Sequence, residues 1–276
     1  MKKQIISVIT PVYNGERFIE SCIKSVIDQN CPNAEHIIID GGSTDKTVDI
    51  VKKYAEQYSH IRWLSERDRG QSDAMNKGVD MAKGEILSFL NVDDYYEPNV
   101  LNRVLEIFKD LPKPSFVCGN CNVWDDENNL VHFNQPQNLN YLDFLMADYK
   151  PITFPTNPSA YFYHKSLHQK TGIYNINEHY VLDIDFILRA VEMAHTKYVN
   201  ETWGNYRYIK GTKTHNDYQS DAGYQRLLHL LAKYRNQLTL IKKIQLKCLI
   251  FQTKFKSLLS QIKRKITRRC KSKTAS

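Results

Sequence analysis

Two adjacent carboxylates, Asp93 and Asp94, close a short apolar run in the stretch Gly84 to Pro98, GEILSFLNVDDYYEP. Ile86, Leu87, Phe89 and Leu90 have the near-continuous apolar character of a strand buried on both faces. Carboxylates at the mouth of such a strand repel each other and are costly to desolvate, so they call for a cation, hydrogen-bond donors or open water. One reading is a divalent-metal site holding a phosphorylated ligand; the other is a polar strand-to-loop turn. Cys118 and Cys121 form a CxxC pair, but it sits inside the strand-like run FVCGNCNVW with no second CxxC and no His pair nearby. Buried free thiols are expected there, not zinc or redox chemistry.

The elements that would position the acid pair alternate in type. Ile5 to Thr10 is a β-branched run ended by Pro11 and Asn14-Gly15, and Glu16 to Asn30 has the apolar spacing of an amphipathic helix. His36 to Ile39 is a second strand, closed by Asp40-Gly41-Gly42-Ser43, after which Ser43 or Thr44 can cap a helix. Ile61 to Leu64, Asp73 to Ala82 and Ile86 to Leu90 continue as strand, helix, strand. This alternation predicts right-handed crossovers and a parallel sheet, whose ligands bind beyond the carboxyl ends of the strands. Four polar turns converge on that rim: Pro11 to Asn14, Asp40 to Asp45, Glu66 to Gln71 and Asn91 to Asp94.

The chain has 276 residues and the composition of a globular protein. Its net charge of +8 is unevenly spread: residues 241–276 hold twelve Lys or Arg and no Asp or Glu, leaving the first 240 residues at −4. A mildly acidic body argues against nucleic acid as a partner. The opening MKKQIISVITPVYNGE shows no secretory cleavage pattern, and no apolar stretch approaches ~20 residues, so a cytoplasmic chain is expected.

TPVYNGERFIESCIKSVIDQ, HIIIDGGSTDKT, SERDRGQSDAMNKGVDMAKGE and FLNVDD, in that order, resemble the nucleotide-binding half of glycosyltransferase family 2. The resemblance is strong over about residues 4–100 and weaker to about 215. A dinucleotide-binding enzyme is disfavoured, since no G-x-G-x-x-G follows the first strand. The resemblance implies an α/β GT-A (Rossmann-like) fold, with a mixed, largely parallel sheet flanked by helices and a C-terminal helical extension. Residues 1–100 would form the nucleotide-sugar-binding half, 101–220 the acceptor half of the same domain, and 221–276 a helical basic tail.

By the same resemblance Pro11, Tyr13 and Asn14 belong to the donor loop, with Tyr13 against the base, and Asp40 accepts from a ring N–H of the base or else caps its own turn. Asp73 faces the donor near its ribose and sugar, and Arg69 offers its fork to phosphate oxygens. Asn91 stands where the family's acidic-x-acidic motif has its first acid. Asp93 is the ligand of Mg2+ or Mn2+, and Asp94 orients it or binds sugar hydroxyls. In VLDIDFILR, Asp183 takes the place of the catalytic base and Asp185 supports it, although Asp185 also suits the N-cap of a helix from Phe186 to Ala194. Arg189 can pair with Asp185 one turn on. Lys213 and His215, in the loop GTKTHND, could reach the diphosphate.

The second half is less regular. Val100 to Phe108 reads as a helix, Phe116 to Trp124 and Leu130 to Phe133 as strands around an acidic turn, and Asn134 to Pro158 as an irregular wall. In SAYFYH, Tyr161 and Tyr163 would point one way and Phe162 the other. A helix is expected over Tyr224 to Leu240. Beyond Ile244, Phe251, Phe255, Leu258, Leu259, Ile262 and Ile266 recur at helical spacing among basic residues, the pattern of a helix on an anionic membrane surface. The expected protein is an inverting, metal-dependent transferase. It moves a sugar from a nucleotide donor, a UDP-sugar, to a lipid-linked or glycan acceptor of bacterial surface polysaccharide, peripheral on the inner face of the cytoplasmic membrane. The alternative is a non-catalytic nucleotide-sugar-binding or scaffold protein of the same fold.

Overall fold

The apolar runs become strands in the order their patterns suggest. The computed structural model describes residues 5–219 and 221–273, the side chains of 213, 218, 219, 257, 258 and 260–273 lying outside it. The strands are β1 (Ile6–Val12), β2 (Ala34–Asp40), β3 (Ile61–Ser65), β4 (Ile86–Phe89), β5 (Tyr95–Tyr96), β6 (Ser115–Trp124), β7 (Leu130–Asn134), β8 (Tyr161–His164) and β9 (His195–Arg207). The helices are α1 (Ile19–Ile27), α2 (Thr47–Gln57), α3 (Gln71–Met81), α4 (Val100–Phe108), α5 (Tyr141–Phe144), α6 (His168–Thr171), α7 (Leu182–Met193), α8 (Lys213–Gln219), α9 (Ala222–Gln237) and α10 (Leu240–Lys273).

One mixed sheet runs β3-β2-β1-β4-β8-β6-β9-β5, with β7 beside β6. The first four strands are parallel, with Val12 opposite Asp40 and Asp40 opposite Ser65, so their carboxyl ends share one edge. Beyond β4 the direction changes: β8 is antiparallel to both β4 and β6, while β9 returns parallel to β6.

The core lies on both sides of this sheet. Tyr161 and Tyr163 are buried with Phe116, Tyr174 and Phe186 on one side, and Phe162 is buried with Tyr96 and Trp203 on the other. The alternation holds, and all three rings are core. Cys118 and Cys121 are buried free thiols, as the strand context implied.

Several boundaries differ from the sequence reading, each for a local reason. Residues 15–18 form a turn, with the amides of Phe18 and Ile19 donating to the Gly15 carbonyl, so α1 begins at Ile19 and not at Glu16. Gly70 at φ 111° lets α3 start at Gln71, two residues early. Helix α7 starts at Leu182, which puts both Asp183 and Asp185 in its first turn and removes Asp185 from the N-cap. The segment Lys213–Gln219 is helical, not a loop. No described helix is long and apolar enough to cross a membrane.

Candidate active site

The turns after β1 and β2 are laced together. Asn14, at φ 48°, donates its amide to Ser43 Oγ at 2.7 Å and accepts from the Thr44 amide at 2.9 Å through its side chain. The Glu16 amide donates to Asp45 Oδ2 at 3.0 Å, and the Lys46 amide returns the bond to Glu16 Oε2 at 3.0 Å. Asp45 also accepts from the Thr47 amide at the start of α2, whose N-cap position is Lys46, so neither Ser43 nor Thr44 is the cap. Tyr13 projects from this lattice with 63% of its surface exposed, whereas Pro11 is buried inside β1 opposite Ile39. Pro11 thus roots the loop that carries Tyr13 and Asn14.

Asp40, at the end of β2, is 1% exposed. Its carboxylate accepts from the amides of Gly42 (3.1 Å) and Ser43 (3.0 Å), from Ser65 Oγ at 2.7 Å and from Ser43 Oγ. Three of these donors reach Oδ2 and the Ser43 hydroxyl reaches Oδ1, so the turn-capping role is realised and a nucleobase would have to share the carboxylate. Gly42, at φ 88°, needs its missing side chain to close this turn. A Cβ on Gly41 would meet Asp68 Oδ2 at 2.5 Å, which places Asp68 directly over the loop.

Asp73 folds back onto the start of α3. It accepts from the Arg69 amide at 3.1 Å and the Arg69 guanidinium at 3.3 Å, and Lys77 Nζ stands 3.5 Å away. Burial works against the charge, but the Arg69 bonds and Lys77 outweigh it, and the carboxyl stays below the usual range. Arg69 itself is largely exposed, and the two residues border a concavity of about 440 Å³ with Asn76, Lys77 and Tyr174.

At the end of β4 the acid pair divides its tasks. Asp94 is 2% exposed and accepts from Asn91 Nδ2 (2.9 Å), Asn157 Nδ2 (2.7 Å) and the Arg207 amide (3.1 Å). Burial and the neighbouring Asp93 push its carboxyl well above the ordinary range. Three donors on a buried carboxylate fix the Asp94 side chain beside Asp93, an arrangement that suits an orienting role. Asn91 now has a physical reason: an amide donates to Asp94 where an acid would repel it, while its oxygen accepts from Gln71 Nε2 at 3.2 Å. Asp93 stands differently. It is half-buried, raised by burial and held back by its own amide and the charge of Arg207.

A cation suits this arrangement. Two carboxylates that burial and proximity push toward protonation are relieved by a nearby positive charge. No group of three or more His, Cys, Asp or Glu gathers among the described residues, so an ion at Asp93 would complete its shell with water and ligand oxygens, as Mg2+ and Mn2+ commonly do.

The second acidic pair also separates. Asp185 is 5% exposed, pairs with Arg189 Nη2 at 2.8 Å and accepts from Tyr234 Oη at 2.8 Å, which pins α7 to α9. Asp183 is half-buried on the other side of α7, with Tyr161 Oη 3.5 Å from its Oδ1. His215 lies in α8 with its ring against Tyr208; the Lys213 side chain lies outside the described residues.

Sequence reasoning missed Asn157, Arg207 and Asp68, and the contact of Tyr161 with Asp183. Asn157 carried a signal, since Asn-Pro-Ser marks a turn and its side chain accepts from the Ser159 amide at 2.8 Å. Its service to Asp94, 63 residues away, had none.

Comparison with known proteins agrees with this fold. The family model for glycosyl transferase family 2 matches residues 7–172. The PGL/p-HBAD biosynthesis glycosyltransferase of Mycobacterium bovis (strain BCG / Pasteur 1173P2) is 29% identical over 228 residues, covering 76% of this chain and 80% of that one. Two further curated relatives match over less than a third of their own length, at 29% and 30%. S. aureus TarS 1-349, solved in complex with UDP-GlcNAc, superposes with a TM-score of 0.66 at 18% identity, covering 92% of this chain and 73% of that one. The mannosyltransferase PcManGT from Pyrobaculum calidifontis, solved with GDP-Man and Mn2+, gives 0.57 at 16%, covering 90% and 80%. These likenesses share the GT-A arrangement of a curled, mainly parallel sheet between helices. With the family model spanning more than half its length, the chain belongs to glycosyl transferase family 2.

Proposed function

We propose that the chain is an inverting, metal-dependent glycosyltransferase that moves a sugar from a nucleotide donor, a UDP-sugar, to a glycan or lipid-linked acceptor of bacterial surface polysaccharide. The observation that carries this reading is the pair of acids left less buried than their neighbours: Asp93, in the turn after β4 beside an Asp94 that accepts three hydrogen bonds, and Asp183, the less buried acid of its pair, in the first turn of α7. The TarS structure with UDP-GlcNAc supports a UDP-sugar donor, and the PcManGT structure with Mn2+ supports the metal.

In this reading Tyr13 offers ring area to the base, the Asn14 and Asp40 turns set its edge, and Arg69 and Asp73 face the ribose and phosphates. Asp93 would hold Mg2+ or Mn2+, whose charge would stabilise the departing nucleoside diphosphate. Asp183 takes the proton of the acceptor hydroxyl as that oxygen attacks the anomeric carbon, so one displacement inverts the centre without a covalent intermediate. Asp185 holds the helix that presents Asp183. The basic tail places the enzyme on the anionic inner face of the cytoplasmic membrane.

The test is transfer and donor hydrolysis by Asp183→Asn beside Asp185→Asn, with UDP affinity measured for both. Loss of turnover in Asp183→Asn at unchanged UDP affinity is expected. Full turnover in that variant would refute the assignment, and nucleotide binding without hydrolysis in the unmodified chain would favour a scaffold.

A further inference from the structure

Helix α10 has two apolar faces. One joins the body: Leu246 is buried in the main core, Leu249 and Ile250 lie against it, and Lys242 pairs with Glu192 at 2.7 Å. Lys242 also reaches the Tyr141 ring and Lys254 the Tyr149 ring, both at 5.4 Å. The opposite face carries Ile241, Ile244, Cys248, Phe251, Phe255 and Leu259, all exposed; Ile241 and Phe251 show 70% of their surface. At 3.6 residues per turn these six share an arc of roughly 80°, on the far side of the helix from Leu246, Leu249 and Ile250. Phe251 and Phe255 stack on each other within it, ring centroids 6.2 Å apart.

The spacing of Ile241, Ile244, Cys248, Phe251 and Phe255 would equally suit a coiled coil with a second copy. Charge decides between the two. Lys247 and Lys254 border one margin of the stripe and Lys256 the other, and no Asp or Glu occurs from residue 241 to 276. In a self-paired coil these margins would face like charge with nothing to complement it. An anionic bilayer supplies negative headgroups to the margins and hydrocarbon to the stripe.

We infer that the outward stripe from Ile241 to Leu259 seats in the interface of an anionic membrane, while the inner face of the same helix ties the catalytic body to it. This rests on the membrane reading above and adds two things: which side chains enter the bilayer, and that they are joined to the body through a packed helix and not a free tail. The body is thereby held at one attitude to the lipid surface.

The test uses the full chain and a Phe251→Ser/Phe255→Ser variant, sedimented with phosphatidylcholine vesicles with and without phosphatidylglycerol, beside sedimentation of the protein alone. The unmodified chain should bind only the anionic vesicles. The double variant should bind them at least roughly tenfold more weakly, since two phenyl groups leave the interface, with an unchanged melting temperature. Equal binding by the variant would overturn the inference. So would a dimer of the unmodified chain that the variant dissolves, which would assign the stripe to a second copy. Donor hydrolysis, measured in parallel without vesicles, reports on the enzymatic reading separately.

Discussion

Residues two positions apart on a helix lie about 200° apart around its axis, and Asp183 and Asp185 divide accordingly. Asp185 faces Arg189 and Tyr234 in the interior. Asp185→Asn should therefore lower stability by about 3 kcal/mol, because it leaves Arg189 with a partner that no longer carries charge; denaturant titration measures this. Asp183→Asn should leave stability nearly unchanged and remove turnover. Asn91 gives a second residue-scale prediction. Asn91→Asp replaces a donor to Asp94 with a third carboxylate and should cost about 1–3 kcal/mol at neutral pH, with part of the loss recovered on adding Mn2+. An equally stable variant would show that the Asn91–Asp94 bond is unimportant. Asp93 stood out as an acid closing an apolar run, whereas Asp183 and Asp185 stood out through the resemblance of VLDIDFILR to the family's acidic pair. Asn157 and the Arg207 amide did not stand out, because their partnership with Asp94 exists only where distant segments meet.

The strands β1 to β4 were legible because each is a short apolar run ended by a polar turn, and a buried parallel sheet demands that pattern. The helix starts were less so: Gly70 and the turn at residues 15–18 set them by backbone geometry, not by apolar spacing. Two histidines inside strands carry a testable consequence. Burial holds His36, in β2, down to about 3 and His164, in β8, down to about 4, so both are neutral in the folded chain. The unfolded chain binds a proton on each near the usual 6.5. Their contribution is thus intact above pH 6.5 and lost as pH falls toward 4, at up to about 1.4 kcal/mol per pH unit for each. Asp93 and Asp94, raised by burial, act in the opposite sense. His164→Asn keeps an acceptor for the Ser115 amide and should flatten the fall in melting temperature between pH 6.5 and 4. An unchanged slope would mean that His164 is not held neutral.

Charge is segregated along the chain, and the structure shows where the division falls. The basic tail is not separate from the body at Leu240, since Leu246 is buried in the core and Lys242 reaches Glu192. Truncation after Leu240 should therefore lower the melting temperature as well as vesicle binding. Truncation after Leu259 removes seven Lys or Arg and should weaken binding to anionic vesicles while leaving the melting temperature in place. Equal melting temperatures for the two truncations would deny α10 its part in the core. The basic, apolar-striped character of this tail was plain in its residues, whereas its inner docking face was not, because Leu246, Leu249 and Ile250 differ from the outward residues only in what lies beside them. The Leu258, Ile262 and Ile266 side chains of the expected stripe lie outside the described residues.

The central claim is a nucleotide-sugar site completed by a cation at Asp93. The direct measurement is the melting temperature of the chain and of Asp93→Ala with UDP, GDP, dTDP or CDP, each with and without Mn2+. The account predicts that UDP alone among the four stabilises the unmodified chain, only when Mn2+ is present, and that Asp93→Ala loses this shift. No shift with any nucleotide, or a UDP shift indifferent to Mn2+ and to Asp93, would contradict it.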